Sequence, residues 1–218
     1  MSGPIDETFT EQQLQPGTVF EFGCAPGQFT ARMAQRPELE ITAVDLYTPE
    51  TTEGFQFFQG DFMDMDITDQ YDNVCCVSSF EHAGIERYEF DREDTKFNYH
   101  KDVAQKLVSL VKPGGRLIIT CPFGPDEVWF TDGRGHNFRP DEFGVAKWGF
   151  RTFKLETLKD LFAPLVVVRA SAFELKSEDY FTLIEWGRID VEKEHDKFTD
   201  ARVNYGVICV VLEKTDGV

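Results

Sequence analysis

Short apolar runs rich in β-branched residues alternate with helix-like stretches along much of this 218-residue chain. Such alternation predicts an α/β fold in which a parallel sheet is covered by helices on both faces. The run at residues 73–78 is apolar without a break from Val74 to Val77, which is typical of a strand buried on both faces. Neither a repeat nor a linker rich in Pro, Gly or Ser divides the sequence, so one domain is expected over residues 1–218.

The same pattern predicts seven strands and three helices. The predicted strands are residues 18–22, 41–45, 55–58, 73–78, 116–121, 165–174 and 207–213, and the predicted helices are residues 28–35, 101–111 and 155–162. We expect the second helix to stop at Lys112-Pro113-Gly114-Gly115, because proline cannot continue a helix and glycine accepts the left-handed cap. Residues 180–187 fit a helix or a strand equally well, and residues 1–16 are interpreted as an N-terminal extension.

The formal net charge of -17 bears most directly on binding partners. It would repel phosphate backbones and anionic lipids, so neither a nucleic acid nor a membrane surface is the expected partner. No apolar run is long enough to span a bilayer, and the N-terminus is polar and acidic, which predicts a cytoplasmic protein. The five cysteines are expected to be reduced packing residues. The oligomeric state stays open, with a homodimer as one option.

The strongest local signal is an apolar strand that ends in an acid and then turns through glycines into a helix. It reads Val19-Phe20-Glu21-Phe22-Gly23-Cys24-Ala25-Pro26-Gly27-Gln28-Phe29-Thr30. Small residues at such a turn let the backbone pass close to a ligand. A nicotinamide or flavin site would need the spacing Gly-x-Gly-x-x-Gly, and counting from Gly23 the other two glycines are replaced by Ala25 and Gln28. An ordinary tight turn without a ligand is the remaining alternative.

This turn resembles motif I of the class I S-adenosylmethionine-dependent methyltransferases, with Ala25 where the middle glycine is usual. The resemblance runs to Cys121 through four more segments in the family's order: Asp45-Leu46 after the second strand, Gly60-Asp61-Phe62 after the third, Glu81-His82 after the fourth, and Pro113-Gly114-Gly115 before the fifth. It implies a doubly wound, mostly parallel seven-stranded sheet with an antiparallel last strand and helices on both faces. It also implies S-adenosyl-L-methionine as the cofactor.

Three acids are expected to hold the cofactor. Glu21 would hold the turn and the amino group of the methionine moiety, and Asp45 would accept hydrogen bonds from both ribose hydroxyls. By the resemblance, Asp61 takes the adenine amino group while Phe62 packs against the ring. The full set of expected cofactor-binding residues is Glu21, Gly23, Cys24, Ala25, Gly27, Phe29, Asp45, Leu46, Asp61, Phe62 and Ser78.

The candidate catalytic residues are His82, Glu81 and His136. A hydroxyl acceptor must lose a proton during methyl transfer, and an imidazole suits that task at neutral pH. His82 is the first candidate for this base, and His136 on a predicted loop is the second. Glu81 and His82 could instead only orient the cofactor or cap a helix. One related group of O-methyltransferases has a metal-binding acid where this chain has Ser78, so no metal is expected.

Residues 84–100 and 122–150 carry many aromatic side chains, which indicate either a cover over the site for a small organic acceptor or a satellite core. The expected function is methyl transfer from S-adenosylmethionine to a small molecule, by O-methylation of a sugar or a secondary metabolite. Two alternatives stay open: a non-catalytic cofactor-binding partner subunit and a nicotinamide-dependent oxidoreductase.

Overall fold

The computed structural model of the chain describes residues 4–85, 98–131, 137–138, 148–175, 186–189, 191 and 206–215. Its strands are β1 Gly17–Phe22, β2 Leu39–Asp45, β3 Gln56–Gln59, β4 Tyr71–Val77, β5 Val111–Phe123, β6 Val128–Thr131, β7 Asn137–Phe138, β8 Trp148–Arg151, β9 Val166–Leu175, β10 Trp186–Ile189 and β11 Gly206–Glu213. Its helices are α1 Pro4–Gln13, α2 Gln28–Met33, α3 Tyr99–Ser109 and α4 Leu155–Leu161, with 3-10 turns at Phe62–Asp64 and Phe80–His82.

The main sheet has the strand order β10-β9-β11-β5-β4-β1-β2-β3. Strands β3, β2, β1, β4 and β5 are parallel, whereas β11 runs antiparallel to both β5 and β9. The predicted fold class is confirmed, and a short eighth strand, β10, extends the edge beside β9. The chain leaves β1 towards β3 and then returns to β4 on the other side of β1. The topological switch point therefore lies between β1 and β4, where open α/β sheets bind their ligands.

Strand β4 shows why its apolar run is continuous. Val74 and Cys76 point into one core layer, and Cys75 and Val77 point into the other. Successive side chains of a strand alternate between the two faces of the sheet, so a strand with a core on each side needs apolar residues at every position. The prediction of a strand buried on both faces is therefore confirmed.

The segment Lys112-Pro113-Gly114-Gly115 differs from its prediction. Helix α3 already ends at Ser109, and these residues form a bulge inside β5. The bulge pairs with the C-terminal segment, because Gly114 N donates to Lys214 O (2.8 Å) and Lys214 N donates to Gly115 O (3.1 Å). A Cβ atom on Gly115 would lie 3.0 Å from the carbonyl oxygens of Tyr71 and Asp72. Glycine is thus needed here for a close strand contact and not for a helix cap.

Helix α1 was not predicted, and residues 1–16 are more than an extension. The helix contacts β4, β5 and β11, and it buries Phe9 in the same core layer as Val19. Arg36 donates to the Glu11 carbonyl (3.1 Å), and Arg116 donates to the Gln13 carbonyl (3.2 Å). These contacts hold α1 against one face of the main sheet. In the part of the chain described, no helix has the length and apolarity needed to cross a membrane.

A second, three-stranded sheet of order β7-β6-β8 lies within the aromatic-rich region at residues 122–150. Trp129 of β6 and Phe150 of β8 are buried and form a cluster of their own. For these two side chains the satellite-core interpretation applies. Of the other aromatic residues considered as a cover, Tyr88, Phe90, Phe97 and Phe143 lie outside the described residues.

Candidate active site

A cavity of about 570 Å³ opens at the carboxyl ends of β1, β2 and β4. The eleven residues predicted to bind the cofactor all line it: Glu21, Gly23, Cys24, Ala25, Gly27, Phe29, Asp45, Leu46, Asp61, Phe62 and Ser78. His82 lines it as well. Carboxyl ends of parallel strands meet at one edge of a sheet, which is why segments far apart in the sequence come together here.

The turn after β1 needs glycine for reasons internal to the protein. Gly23 has a φ of +79°, and a Cβ atom there would lie 2.3 Å from the Cβ atom of Ser79. Gly27 has a φ of +98°, and its Cβ atom would lie 2.7 Å from the Thr51 carbonyl oxygen. A side chain at either position would therefore collide with a neighbouring segment of the protein, whether or not a ligand also lies close to the turn. The hydroxyl of Ser79 donates to the Gly23 carbonyl (2.8 Å), which fixes the turn to the end of β4.

Asp45, the last residue of β2, supports the same turn. Its Oδ2 atom accepts a hydrogen bond from Ala25 N (2.9 Å), and its Oδ1 atom accepts one from Tyr47 N (2.9 Å). A carboxylate has about four acceptor positions, so each oxygen keeps capacity for one more donor. Asp45 can therefore hold the turn and still bind a pair of hydroxyl groups.

Glu21 is an acid buried in the wall of the cavity, with 2% of its surface exposed. Thr30 Oγ1 of α2 donates to its Oε2 atom (2.7 Å). Burial raises the pKa of Glu21 from 4.5 to about 7, with smaller increases from the charges of Asp45 and Glu7, while the Thr30 hydrogen bond acts in the opposite direction. A cationic group beside Glu21 would favour the ionised form.

Asp61 precedes the 3-10 turn Phe62–Asp64. Its Oδ1 atom accepts hydrogen bonds from Met63 N (2.9 Å) and from the hydroxyl of Tyr99 (2.5 Å). The next side chain, Phe62, lines the cavity and also belongs to the core, where its ring centroid lies 5.2 Å from that of Phe22. Asp61 and Phe62, which were predicted to contact the adenine, therefore lie side by side in the wall of the cavity.

His82 ends the 3-10 turn after β4. Its Nδ1 atom lies 2.6 Å from the carbonyl oxygen of Gly149 in β8. A carbonyl only accepts hydrogen bonds, so Nδ1 carries the proton and the neutral ring has its lone pair at Nε2. Nε2 lies 3.8 Å from Oε1 of Glu81, which is too far for a hydrogen bond but close enough to stabilise a protonated ring. Glu81 itself is buried, and the described wall of the cavity does not include it.

Strand β8 holds this turn at a second point. Arg151 is 4% exposed, and its Nη1 atom donates to the carbonyl oxygen of Ala83 (2.5 Å). Burial lowers the pKa of Arg151 to about 10, so the guanidinium is still charged at neutral pH. The second sheet thus contacts this turn at two points. Arg151 binds the carbonyl of Ala83, and Gly149 binds the ring of His82.

No sequence motif indicates the contribution of α1 to the site. Ser78 has a φ of +47°, and its hydroxyl donates to Oδ2 of Asp6 (2.7 Å). The next residue, Glu7, lines the cavity and accepts a hydrogen bond from Arg32 Nη2 (2.8 Å). The only sequence feature related to these contacts is the pair of acids in the first turn of α1. What these acids contact depends on how α1 packs across the sheet.

Several residues predicted to belong to the site or its cover lie outside the described residues. They are His136, residues 86–97, residues 132–135 and residues 139–147. Of the predicted cover at residues 84–100, Gly84, Ile85 and Tyr99 line the cavity. Within the described ranges, no three His, Cys, Asp or Glu side chains are grouped closely enough to hold a metal ion.

Comparison with known proteins gives a family match and many similar folds. The sequence profile described as FtsJ-like methyltransferase matches residues 4–114 of the chain. The comparison with curated protein sequences gives no match.

Three solved structures illustrate the likeness in fold. The 1,6-didemethyltoxoflavin-N1-methyltransferase of Burkholderia thailandensis, bound to 1,6-didemethyltoxoflavin and S-adenosylhomocysteine, is similar with a TM-score of 0.61 and 18% identity, over 98% of this chain and 78% of that one. A SAM-dependent methyltransferase of Methanosarcina mazei gives 0.60 and 12%, over 98% and 99%. The N-methyltransferase NodS of Bradyrhizobium japonicum WM9, in complex with S-adenosylhomocysteine, gives 0.51 and 11%, over 96% and 84%.

Proposed function

The chain belongs to the FtsJ-like methyltransferase family, and from that premise we propose that it transfers the methyl group of S-adenosylmethionine to a hydroxyl oxygen of a small molecule, such as a sugar or a secondary metabolite. Family membership makes the chain an S-adenosylmethionine-dependent methyltransferase and sets the nicotinamide alternative aside. The acceptor and the roles of individual residues are the proposal. The observation that carries it is the meeting of three strand-end acids and His82 in one cavity.

The cavity fits the cofactor in size and in chemistry. Its volume of about 570 Å³ lies within the usual range of small-molecule sites. The cofactor presents an ammonium group, a sulfonium, two ribose hydroxyls and an adenine amino group, which call for acceptors or negative charge, and one carboxylate, which calls for hydrogen-bond donors. The described wall supplies carboxylates and contains neither Lys nor Arg.

Each acid has a proposed partner on the cofactor. Glu21 would bind the ammonium group, since a cation there offsets the cost of burying its charge. Asp45 would accept from the ribose hydroxyls with the capacity that the backbone N–H groups of Ala25 and Tyr47 leave. Asp61 would accept from the adenine amino group, with Phe62 against the ring.

The cofactor, when bound, supplies an activated methyl group. The protein must align the acceptor and hold the proton that its hydroxyl loses. We assign that proton to Nε2 of His82, because the Gly149 carbonyl keeps the other ring nitrogen protonated. The carboxylate of Glu81, 3.8 Å away, would stabilise the imidazolium that forms. Ser78 directly follows β4 and lines the cavity, and we place it near the reacting groups.

A nitrogen acceptor is the second candidate. Two of the similar structures are N-methyltransferases by name, and a base at His82 would serve an ammonium group as well as a hydroxyl. The net charge of -17 favours neutral or cationic acceptors and disfavours nucleic acids and membrane surfaces. A cytoplasmic location is part of the proposal, since all five cysteines are buried free thiols, as reducing compartments keep them.

The test is a turnover assay with acceptors sorted by chemistry. The purified chain is incubated with S-adenosylmethionine and panels of sugars, phenols and amines, and both S-adenosylhomocysteine and the methylated product are measured by mass spectrometry. Methylation of a hydroxyl supports the leading proposal, whereas methylation of amines alone supports the second candidate. Turnover on nucleic acid but on no small molecule would contradict both.

A further inference from the structure

Tyr99 and Asp61 meet in the wall of the cavity although they belong to different elements. Tyr99 is the first residue of α3, and Asp61 precedes the 3-10 turn after β3. The hydroxyl of Tyr99 donates to Oδ1 of Asp61 (2.5 Å), and the backbone N–H of Met63 donates to the same oxygen (2.9 Å). Both side chains line the cavity.

Two donors on one oxygen restrict the rotation of the carboxylate. They set the plane of the Asp61 side chain, while Oδ2 keeps its lone pairs for a ligand. Burial raises the pKa of the Tyr99 hydroxyl, and the hydrogen bond to Asp61 raises it further. The hydroxyl therefore stays protonated at neutral pH and always acts as the donor.

We propose that Tyr99 is a positioning residue that fixes the Asp61 carboxylate so that the site selects an adenine by its exocyclic amino group. This inference rests on the proposed function, which assigns Asp61 to that amino group. A fixed carboxylate accepts from an amino group. A base with a keto oxygen at the same place would bring two acceptors together without a proton between them, and sites built for a hydrogen bond reject such analogues strongly.

The experiment measures binding of two ligands to the full chain by isothermal titration calorimetry. One ligand is S-adenosylhomocysteine, and the other is S-inosylhomocysteine, in which a keto oxygen replaces the amino group. We expect the wild type to prefer the adenosyl ligand by about tenfold or more. Tyr99→Phe keeps the ring and removes the hydroxyl. It should reduce that preference about fivefold, mainly by lowering the affinity for the adenosyl ligand.

Two further variants separate positioning from general packing. Tyr71→Phe is the matched control, because Tyr71 is a buried tyrosine outside the described cavity wall; it should leave the preference unchanged. In an Asp61→Ala background, Tyr99→Phe should have no further effect on the preference, since the group it positions is gone.

The outcomes distinguish this inference from the proposed function. If the wild type prefers the adenosyl ligand and Tyr99→Phe lowers that preference only when Asp61 is present, the inference is supported. Equal weakening of both ligands by Tyr99→Phe, or no change at all, would overturn the positioning role while leaving the cofactor site intact. Failure of the wild type to bind S-adenosylhomocysteine would overturn the cofactor site and this inference together.

Discussion

The Nδ1 atom of His82 lies 2.6 Å from the carbonyl oxygen of Gly149, a residue of the second sheet. This contact fixes the tautomer of the ring and its orientation with one backbone group. It also connects a turn of the main sheet to an element far along the chain, since β8 holds Gly149. The second sheet thereby contributes a contact to a side chain in the wall of the cavity.

The first prediction concerns the base. His82→Gln should lower kcat about 10²- to 10⁴-fold, because general-base catalysis contributes about that much. The dissociation constant of S-adenosylhomocysteine should change by less than about twofold, since the three acids proposed to bind the cofactor remain. The measurements are product formation under saturating substrate and calorimetric titration with S-adenosylhomocysteine.

His136→Gln serves as the comparison, because His136 is the other candidate base in the sequence. It should leave kcat near the wild-type value. A large loss of kcat in His136→Gln together with full activity in His82→Gln would contradict this assignment and would identify His136 as the base.

The second prediction uses two glycines that share a backbone conformation but differ in their surroundings. Gly23 and Gly114 have φ values of +79° and +73°, yet a Cβ atom on Gly23 would lie 2.3 Å from Ser79 Cβ, and one on Gly114 would meet nothing within 4 Å. Gly114→Ala should cost about 1 kcal/mol in the free energy of unfolding from backbone strain alone. Gly23→Ala should cost roughly 3 kcal/mol and weaken S-adenosylhomocysteine binding, because the turn must move.

Urea unfolding of both variants, with and without S-adenosylhomocysteine, measures these costs. Equal losses of stability in the two variants would mean that the contact with Ser79 relaxes without cost, and the steric explanation for Gly23 would then be wrong.

The part of the site that was predictable from the sequence lies at strand ends. Glu21, Asp45 and Asp61 each follow or end an apolar run, and parallel strands bring such positions to one edge. Local pattern and topology together therefore placed these acids in one cavity. The prediction for Asp61 depends on the order of the segments along the chain, because a single Gly-Asp pair is common in turns.

The rest depended on contacts that no local pattern encodes. Asp6, Tyr99 and Gly149 reach the site from elements distant in the sequence, and what they contact is decided by packing. The segment around Pro113 misled the prediction for the same reason. Proline and glycine usually end a helix, but here the carbonyl of Lys214 and the close approach of Asp72 retain the segment as a bulge in the sheet.

The third prediction concerns pH. The pKa of Glu21 is raised from 4.5 to about 7 by burial, so the folded state binds more protons than the unfolded state between these values. Stability should therefore fall as pH rises through that window, by about 3 kcal/mol at most. Glu21→Gln should remove this decline and should also weaken S-adenosylhomocysteine binding, because an amide offers the ammonium group no charge.

The comparison is with Glu40→Gln, an exposed position on the neighbouring strand β2, which likewise removes one carboxylate. Unfolding free energies at pH 5 and pH 8 give the difference for each variant. The assignment fails if Glu21→Gln shows the same pH dependence as the wild type and Glu40→Gln.

The last prediction tests whether α1 takes part in binding. The hydroxyl of Ser78 donates to Oδ2 of Asp6 (2.7 Å), and Asp6 is 3% exposed. Loss of this bond should loosen the start of α1, and Glu7 in the wall of the cavity would move with it. Asp6→Ala and Ser78→Ala should each weaken S-adenosylhomocysteine binding about three- to tenfold, in line with the roughly 0.5–1.5 kcal/mol that one hydrogen bond contributes.

Because the two variants remove the same bond, their effects should not add. A double-mutant cycle should give a coupling energy of about 0.5–3 kcal/mol in binding, whereas Ser109→Ala, at the end of α3 and outside the cavity wall, should leave binding unchanged. Fully additive effects of Asp6→Ala and Ser78→Ala would show that α1 influences binding by another contact. Unchanged affinity in both would confine its role to stability.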